Sequence, residues 1–217
     1  MYYHYRKGWN KMAPKIKYTR EEMVAAAMRV VREKGIDALT AKALASELGV
    51  STQPVFTCFH TIDEAKREVR IAAEKVHEHY VTVGLQMPIP FYGIGMQYIR
   101  FAQEEPQLYR LLFLTTNDEG QNSVMDALHH AQDLVRESLQ QTYHIDALNA
   151  DRYFRDMWLV VHSLATLIVT GDCPYSEQEM GQILTGFSVS ICMAIKEIPG
   201  FAENKFDRDA VFQKLVE

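Results

Sequence analysis

The sequence predicts an all-α chain, on three observations. Apolar residues recur at i, i+3, i+4 and i+7 along most of its length. Ser or Thr followed three residues later by Glu marks helix starts at Thr19, Thr61 and Ser176. Stretches with strand-like alternation are scarce. The arrangement expected is an N-terminal helix-turn-helix domain followed by an antiparallel helical domain. The divisions fall at 1–17, 18–66 and 67–217.

Residues 1–17 carry Arg6, Lys7, Lys11, Lys15 and Lys17 among several tyrosines and Trp9, without periodicity. They read as a flexible basic and aromatic arm, within which Met12 offers an alternative start. The first helix is expected from about Arg20 to Lys34. Thr19 and Glu22 form its capping box, Val24, Ala27, Met28 and Val31 its buried stripe, and Gly35 its stop. Next comes the stretch around which the front half is organised. Ala41, Leu44, Ala45 and Leu48 fall on one face of a short helix, with Thr40 as N-cap and Gly49 as the left-handed stop. Val50 points inward, and Ser51 caps a second short helix carrying Val55, Phe56 and Phe59. Two short helices joined by a tight Gly-containing turn form a helix-turn-helix, reaching to about residue 59. Helical hairpins without any role in DNA binding share this spacing, so at this point both readings stand.

The open side of the second helix shows Thr52, Gln53, Pro54, Thr57 and His60. Pro54 falls in the first turn, where a missing N–H is tolerated, so Ser51 is expected to cap the N–H of Gln53. Thr61 with Glu64 opens a long fourth helix, to about Val83, before the breakers of 84–90. Further helices are expected over about Phe91 to Glu104, a short one from Pro106, Asn122 to Gln141, Ala150 to Thr170 and Ser176 to Glu197. A polar loop is expected at Thr115 to Gly120 and a last helix from Phe206.

Composition narrows the function classes. The chain has 217 residues, 47% hydrophobic and 24% charged, which is ordinary for a globular protein. The N-terminus has no apolar run of the secretory type. The most apolar helix, Met157 to Val169, is interrupted by His162 and Ser163 and is shorter than the roughly 20 residues a bilayer requires. Cys58, Cys173 and Cys192 are odd in number and far apart, which suits reduced thiols in the cytoplasm. His77 and His79 do not share a helix face, and His129 and His130 are adjacent, so no metal site is expected. No nucleophile motif, phosphate loop or nucleotide fingerprint appears, so neither an enzyme nor a cofactor is expected. Net charge is −5, but it is divided. Residues 1–75 hold 14 Lys+Arg against 9 Asp+Glu, and residues 76–217 hold 9 against 19. A basic front and an acidic rear fit one end that faces phosphate.

The run from Tyr18 to about Arg70 resembles the DNA-binding domain of the tetracycline-repressor (TetR) family. The matching residues are Gly35, Leu39-Thr40, Leu44-Ala45, Gly49-Val50-Ser51, Phe56, Phe59 and the polar start at Thr61. Three departures are visible. Phe56 stands where a tyrosine is usual, Ile62 where a lysine is usual, and Thr57-Cys58 where Tyr or His is more common. Against the family pattern, Phe56 and Ile62 would each lack a phosphate contact, for which Lys42, Lys66 and Arg67 could partly compensate. Two rear segments resemble the TetR subgroup with a Trp-His-Gly signature. They are Gly95-x-x-Tyr98-x-x-Phe101-Ala102 with Glu105-Pro106-x-Leu108-Tyr109, and Trp158-x-x-x-His162-Ser163, where Ser163 replaces the glycine.

The resemblance implies a homodimeric, ligand-responsive repressor on a palindromic double-stranded DNA operator, with no membrane partner. Its DNA-contacting residues would be Thr40, Lys42, Ser51, Thr52, Gln53, Pro54, Thr57 and His60. Gln53 suits an adenine edge in the major groove, and Thr40 a phosphate at a helix start. A small-molecule effector would sit among Phe101, Tyr109, Phe113, Trp158 and His162, with His129 and His130 as further candidates. For each of these, plain core packing is the competing reading. The small residues Gly181, Thr185, Ser188 and Cys192 form one face of their helix, expected to meet a twin subunit. The alternative function is a small-molecule binding protein whose DNA-binding head is degenerate.

Overall fold

The computed structural model describes residues 18–115 and 124–216. The arm at 1–17 and most of the polar loop lie outside them. Among the described residues there is no strand. The helices are α1 (Arg20–Lys34), α2 (Ala41–Leu48), α3 (Thr52–Cys58), α4 (Ile62–Leu85), α5 (Pro90–Glu104) and α6 (Pro106–Tyr109). A π-helical turn, Arg110–Leu114, continues α6. Then follow α7 (Val124–Tyr143), α8 (Ala147–Thr170), α9 (Glu177–Glu197) and α10 (Arg208–Val216). The chain divides into two compact units at Val69/Arg70, inside the unbroken α4.

The front unit is a small three-helix core closed by the start of α4. The α1 capping box forms as expected: the Glu22 N–H donates to Thr19 Oγ1 at 3.2 Å, and the Thr19 N–H to Glu22 Oε2 at 2.7 Å. The buried face of α1 is Met23, Ala26, Ala27, Val30 and Val31, with Met28 beside it. Val24, expected in that stripe, is only half-buried. The spacing 23–27–30–31 describes the inward face better, and Val24 falls on its edge. Against that face lie Leu39, Leu44, Ala45, Val55 and Phe59, all nearly inaccessible. Gly49 adopts φ +64°, which glycine reaches without steric cost, and so ends α2. The Tyr18 hydroxyl donates to the Leu48 carbonyl at 2.8 Å and satisfies one of the last carbonyls of α2.

Two expected caps differ. The Ser51 side chain makes no capping hydrogen bond, although its backbone has the extended N-cap conformation. The donor an N-cap oxygen normally receives is the N–H three residues on, and Pro54 has none. At the start of α4, Thr61 Oγ1 accepts from the Glu64 N–H at 3.1 Å, but the Glu64 carboxylate reaches back to the His60 N–H at 2.8 Å. The reciprocal half of the box is thus displaced by one residue.

In the rear unit α8 is the central helix, flanked by α5, α7 and α9. Gly95 lies where α5 meets α8 and α9: a Cβ there would stand 3.1 Å from Leu184 and 3.3 Å from Val161. Val135, Leu139, Ala150 and Tyr153 form the core between α7 and α8. The turn after α9 is held by Arg152, whose guanidinium lies 4.0 Å over the Phe201 ring and donates to the Phe201 carbonyl and to Asn204 Oδ1. Beyond it, α10 presents Phe212, Leu215 and Val216 to solvent.

Candidate functional site

The front unit shows a set of polar residues on and beside α3. Ser51, Thr52, Gln53, Thr57 and His60 are exposed, Pro54 is half-buried, and Val55 and Phe59 fix the helix from beneath. Thr57 is partly spoken for, because its hydroxyl donates to the Gln53 carbonyl at 2.9 Å. Thr40 is exposed, with its hydroxyl accepting from the Ala43 N–H at 3.1 Å, and Lys42 is exposed beside it. Phe56, grouped with the apolar residues of α3, is not core: it is 49% exposed and belongs to the same open face as Gln53 and Thr57. With 3.6 residues per turn, position 56 lies three past Gln53 and one from Val55, and only Val55 can point inward.

Charge in this unit is largely consumed at home. Arg20 donates to Glu64 Oε1 at 2.8 Å, to Glu68 Oε1 at 2.6 Å and to the Cys58 carbonyl at 2.9 Å, while packing 5.1 Å over Phe59. These bonds raise the Arg20 pKa, and the same pairing lowers that of Glu64. Arg29 pairs with Glu47 at 2.6 Å. Residues 18–75 hold 9 Lys+Arg and 9 Asp+Glu. The positive excess of the front therefore belongs entirely to the arm, with its five basic residues.

The rear unit brings together four of the five expected pocket residues. Tyr109, Phe101 and Phe113 are buried. The Tyr109 hydroxyl stands 2.9 Å from His162 Nδ1 and 3.2 Å from Thr166 Oγ1. The Tyr98 hydroxyl reaches the same Nδ1 at 3.1 Å. A neutral Nδ1 serves one good hydrogen bond, and Tyr109 has two other partners, Thr166 Oγ1 and, at 3.4 Å, the His162 carbonyl. Trp158 joins through His162, on which it stacks. His129 is exposed and does not join, and nothing is described of the His130 side chain. Two further participants carry little signal in the sequence. Tyr98 is visible there only as a motif residue, and His77, which its spacing marks only as a poor metal ligand, packs edge-on against Tyr98, Phe101 and Phe113. Burial pushes the His77 pKa down to about 4 and lowers that of His162. Among the described residues no cluster of His, Cys, Asp or Glu is arranged to hold a metal ion.

The small-residue stripe of α9 faces its own subunit, against expectation. Gly181 is buried, and a Cβ on it would stand 2.5 Å from the Tyr92 hydroxyl. Ser188 Oγ lies 2.7 Å from the Tyr153 hydroxyl, and Cys192 packs against the α7–α8 core. Thr185 alone is exposed, with its hydroxyl donating to the Gly181 carbonyl. The close helix contact that small residues permit is made with α5 and α8 of the same chain. The face of α9 left open carries Val189 and Met193, each about half exposed (52% and 51%); Phe187, on another side of the helix, and Leu159 of α8 are exposed to the same degree (50% and 52%).

Residues 91–185 match the family model described as tetracyclin repressor-like, C-terminal domain. Among solved structures, a member of the TetR family from Streptomyces coelicolor A3 is similar, with a TM-score of 0.57 and 19% identity over 78% of this chain and 98% of that one. At that identity the likeness is one of fold. No curated protein sequence matches the chain. No helix among the described residues is long and apolar enough to cross a membrane. With the rear unit matched from α5 into α9, and an all-helical fold whose front unit is a helix-turn-helix, the chain is similar to the TetR family of transcriptional regulators.

Proposed function

We propose that the chain is a ligand-responsive repressor that works in the cytoplasm as a homodimer and reads a near-palindromic operator. The observation that carries this is the face of α3. Gln53, Thr52 and Thr57 stand exposed on a helix fixed from beneath by Val55 and Phe59, the disposition that major-groove reading requires. A dimer would read two half-sites about 34–36 Å apart, one helical turn. The apolar residues left open on α8 and α9, Leu159, Phe187, Val189 and Met193, support a face for the twin. The buried aromatic and histidine cluster supports an effector site, because pockets join apolar walls to a few polar groups. The effector need only favour a state with mismatched heads, and a few kcal/mol of differential affinity moves most of the population.

A second reading is a small-molecule binding protein with a degenerate head. It is favoured by Phe56, exposed without a hydroxyl, by Ile62 in place of lysine, and by the equal numbers of positive and negative side chains over residues 18–75. Binding to the DNA upstream of the protein's own gene, set against a scrambled duplex over a range of salt, separates the two. The repressor reading expects preference for the upstream duplex and a steep fall with salt, as counterions are released from phosphate. Equal, weak binding to both duplexes supports the degenerate head.

A further inference from the structure

The aromatic cluster of the rear unit holds a polar atom that the fold leaves unused. His77 stands on α4 with the rings of Tyr98, Phe101 and Phe113 edge-on around it, centroids 5.6, 5.2 and 5.2 Å away. Its Nε2 is buried and has no hydrogen-bond partner. Such an atom costs stability wherever it is left unpaired, so a packing role alone does not account for an imidazole here; phenylalanine would fill the space without that cost. The same cluster holds the Tyr98 and Tyr109 hydroxyls, His162 Nδ1 and Thr166 Oγ1, which lie within hydrogen-bond distance of one another. All of these groups are uncharged near neutral pH. Burial lowers the pKa values of His77 and His162, and burial with Tyr109 raises that of Tyr98, with no contribution from a charged side chain.

One wall of this box differs from the rest. Phe113 sits on the π-helical turn Arg110–Leu114, a rare arrangement found mostly as single turns and frequently at functional sites. The turn is tied to α4 by Arg70, whose guanidinium donates to the Leu111 carbonyl at 2.8 Å and to that of Leu112 at 3.3 Å. Both the orphan imidazole and the anchor of this wall are thus on α4.

We propose that this box receives an uncharged, single-ring aromatic compound bearing a hydroxyl or carbonyl group, which takes the place of the Phe113 ring and hydrogen-bonds to His77 Nε2. The inference rests on the effector-responsive reading and names the chemistry of that effector. A carboxylate or ammonium group would be buried with no counter-charge and is strongly disfavoured. Aromatic rings meet edges and faces already set for a further ring. A competing location exists on the surface. A groove of about 250 Å³ is lined by Met87, Tyr92, Met96, Arg100, Gln103 and Glu177, and its charges suit an ionised ligand instead.

Trp158 supplies the reporter, and Trp9→Phe leaves it as the single tryptophan. The probes are p-cresol, benzoate and benzylamine, titrated against Trp158 fluorescence and thermal midpoint. The box expects p-cresol to change the fluorescence saturably and raise the midpoint, with benzoate and benzylamine at least tenfold weaker. His77→Phe should melt no lower than its parent and lose at least tenfold in p-cresol affinity. His77→Gln, which keeps a hydrogen-bonding group, should recover part of that loss. Equal binding of all three probes, no p-cresol binding, or full p-cresol affinity in His77→Phe overturns the proposal, as does a His77→Phe chain that melts lower. Benzoate binding that depends on Arg100 and releases DNA would keep the effector reading and overturn this one.

Discussion

Trp158 lies flat on His162, with ring centroids 4.6 Å apart and planes 9° from parallel. The Tyr98 and Tyr109 hydroxyls both lie within hydrogen-bond distance of Nδ1 of the same imidazole, so one histidine joins the half-buried Trp158 to the buried tyrosines of the rear unit. This arrangement and the neighbouring His77 bear on how stability should change in acid.

Both histidines have folded pKa values below the ordinary 6.5, His77 at about 4. The unfolded chain therefore binds more protons than the folded one as pH falls from about 6.5 towards 4. Stability is full above 6.5 and declines across that window, a gap of one pH unit between folded and unfolded pKa being equivalent to about 1.4 kcal/mol. Glu64, Glu104 and Glu179 are held below 4.5 by their hydrogen bonds, so their stabilisation is lost only at lower pH. Thermal midpoints measured from pH 7 to 4.5 should fall, and the fall should be shallower in His77→Phe. An equal slope in both chains would mean that His77 does not titrate in this window.

Base reading should be separable from phosphate binding. Gln53→Ala is expected to cost about 1–3 kcal/mol on the preferred duplex and to relax preference at one or two base pairs. A selection from randomised duplexes reads this directly. An unchanged preference would place the recognition face elsewhere.

The departures at Phe56 and Ile62 should be reversible. Phe56 is exposed and Ile62 is half-buried at the first position of α4, so a tyrosine and a lysine fit without repacking the core. Phe56→Tyr with Ile62→Lys should tighten binding to any duplex and steepen the salt dependence by about 0.9 per added phosphate contact. Tightening confined to one sequence would contradict a phosphate role.

Dimerisation should depend on the outer face of α9, not on its small-residue face. Val189→Arg or Met193→Arg adds a charge to a half-exposed position, so the subunit should stay folded while association fails. Ser188→Arg instead drives a long cation against Tyr153, whose hydroxyl lies 2.7 Å from Ser188 Oγ, and should unfold the subunit. Light scattering gives the mass and circular dichroism the helicity. A Met193→Arg chain that stays folded and dimeric would remove α9 from the interface.

Most of the helices are legible in the sequence because each leaves a local signature. Thr19 and Glu22, or Ser176 and Glu179, are three residues apart and satisfy each other's backbone whatever the rest of the chain does. Gly49 and Gly171 end their helices through their own positive φ. What stays illegible depends on partners distant in sequence. The spacing of Gly181, Thr185, Ser188 and Cys192 shows that they share a face, but the neighbour is decided by Tyr92 and Tyr153, which belong to other helices. His77 is hidden for the same reason, because the rings that enclose it come from α5 and the π turn. Ser51 fails as a cap through a local conflict that the sequence does show, a proline at the residue a cap most often serves.

The helix α4 passes from one compact unit to the other without a break. One helix thus belongs to both units, and no linker separates them in the chain. A chimera that joins this front to another rear must be spliced within the helix and in phase. One inserted residue turns everything after it by about 100°, whereas seven return it to within about 20° while lengthening the helix by about 10.5 Å. Helix-forming residues inserted at Val69/Arg70 should therefore lengthen α4 by about 1.5 Å each and leave both units folded, which circular dichroism and a thermal melt check.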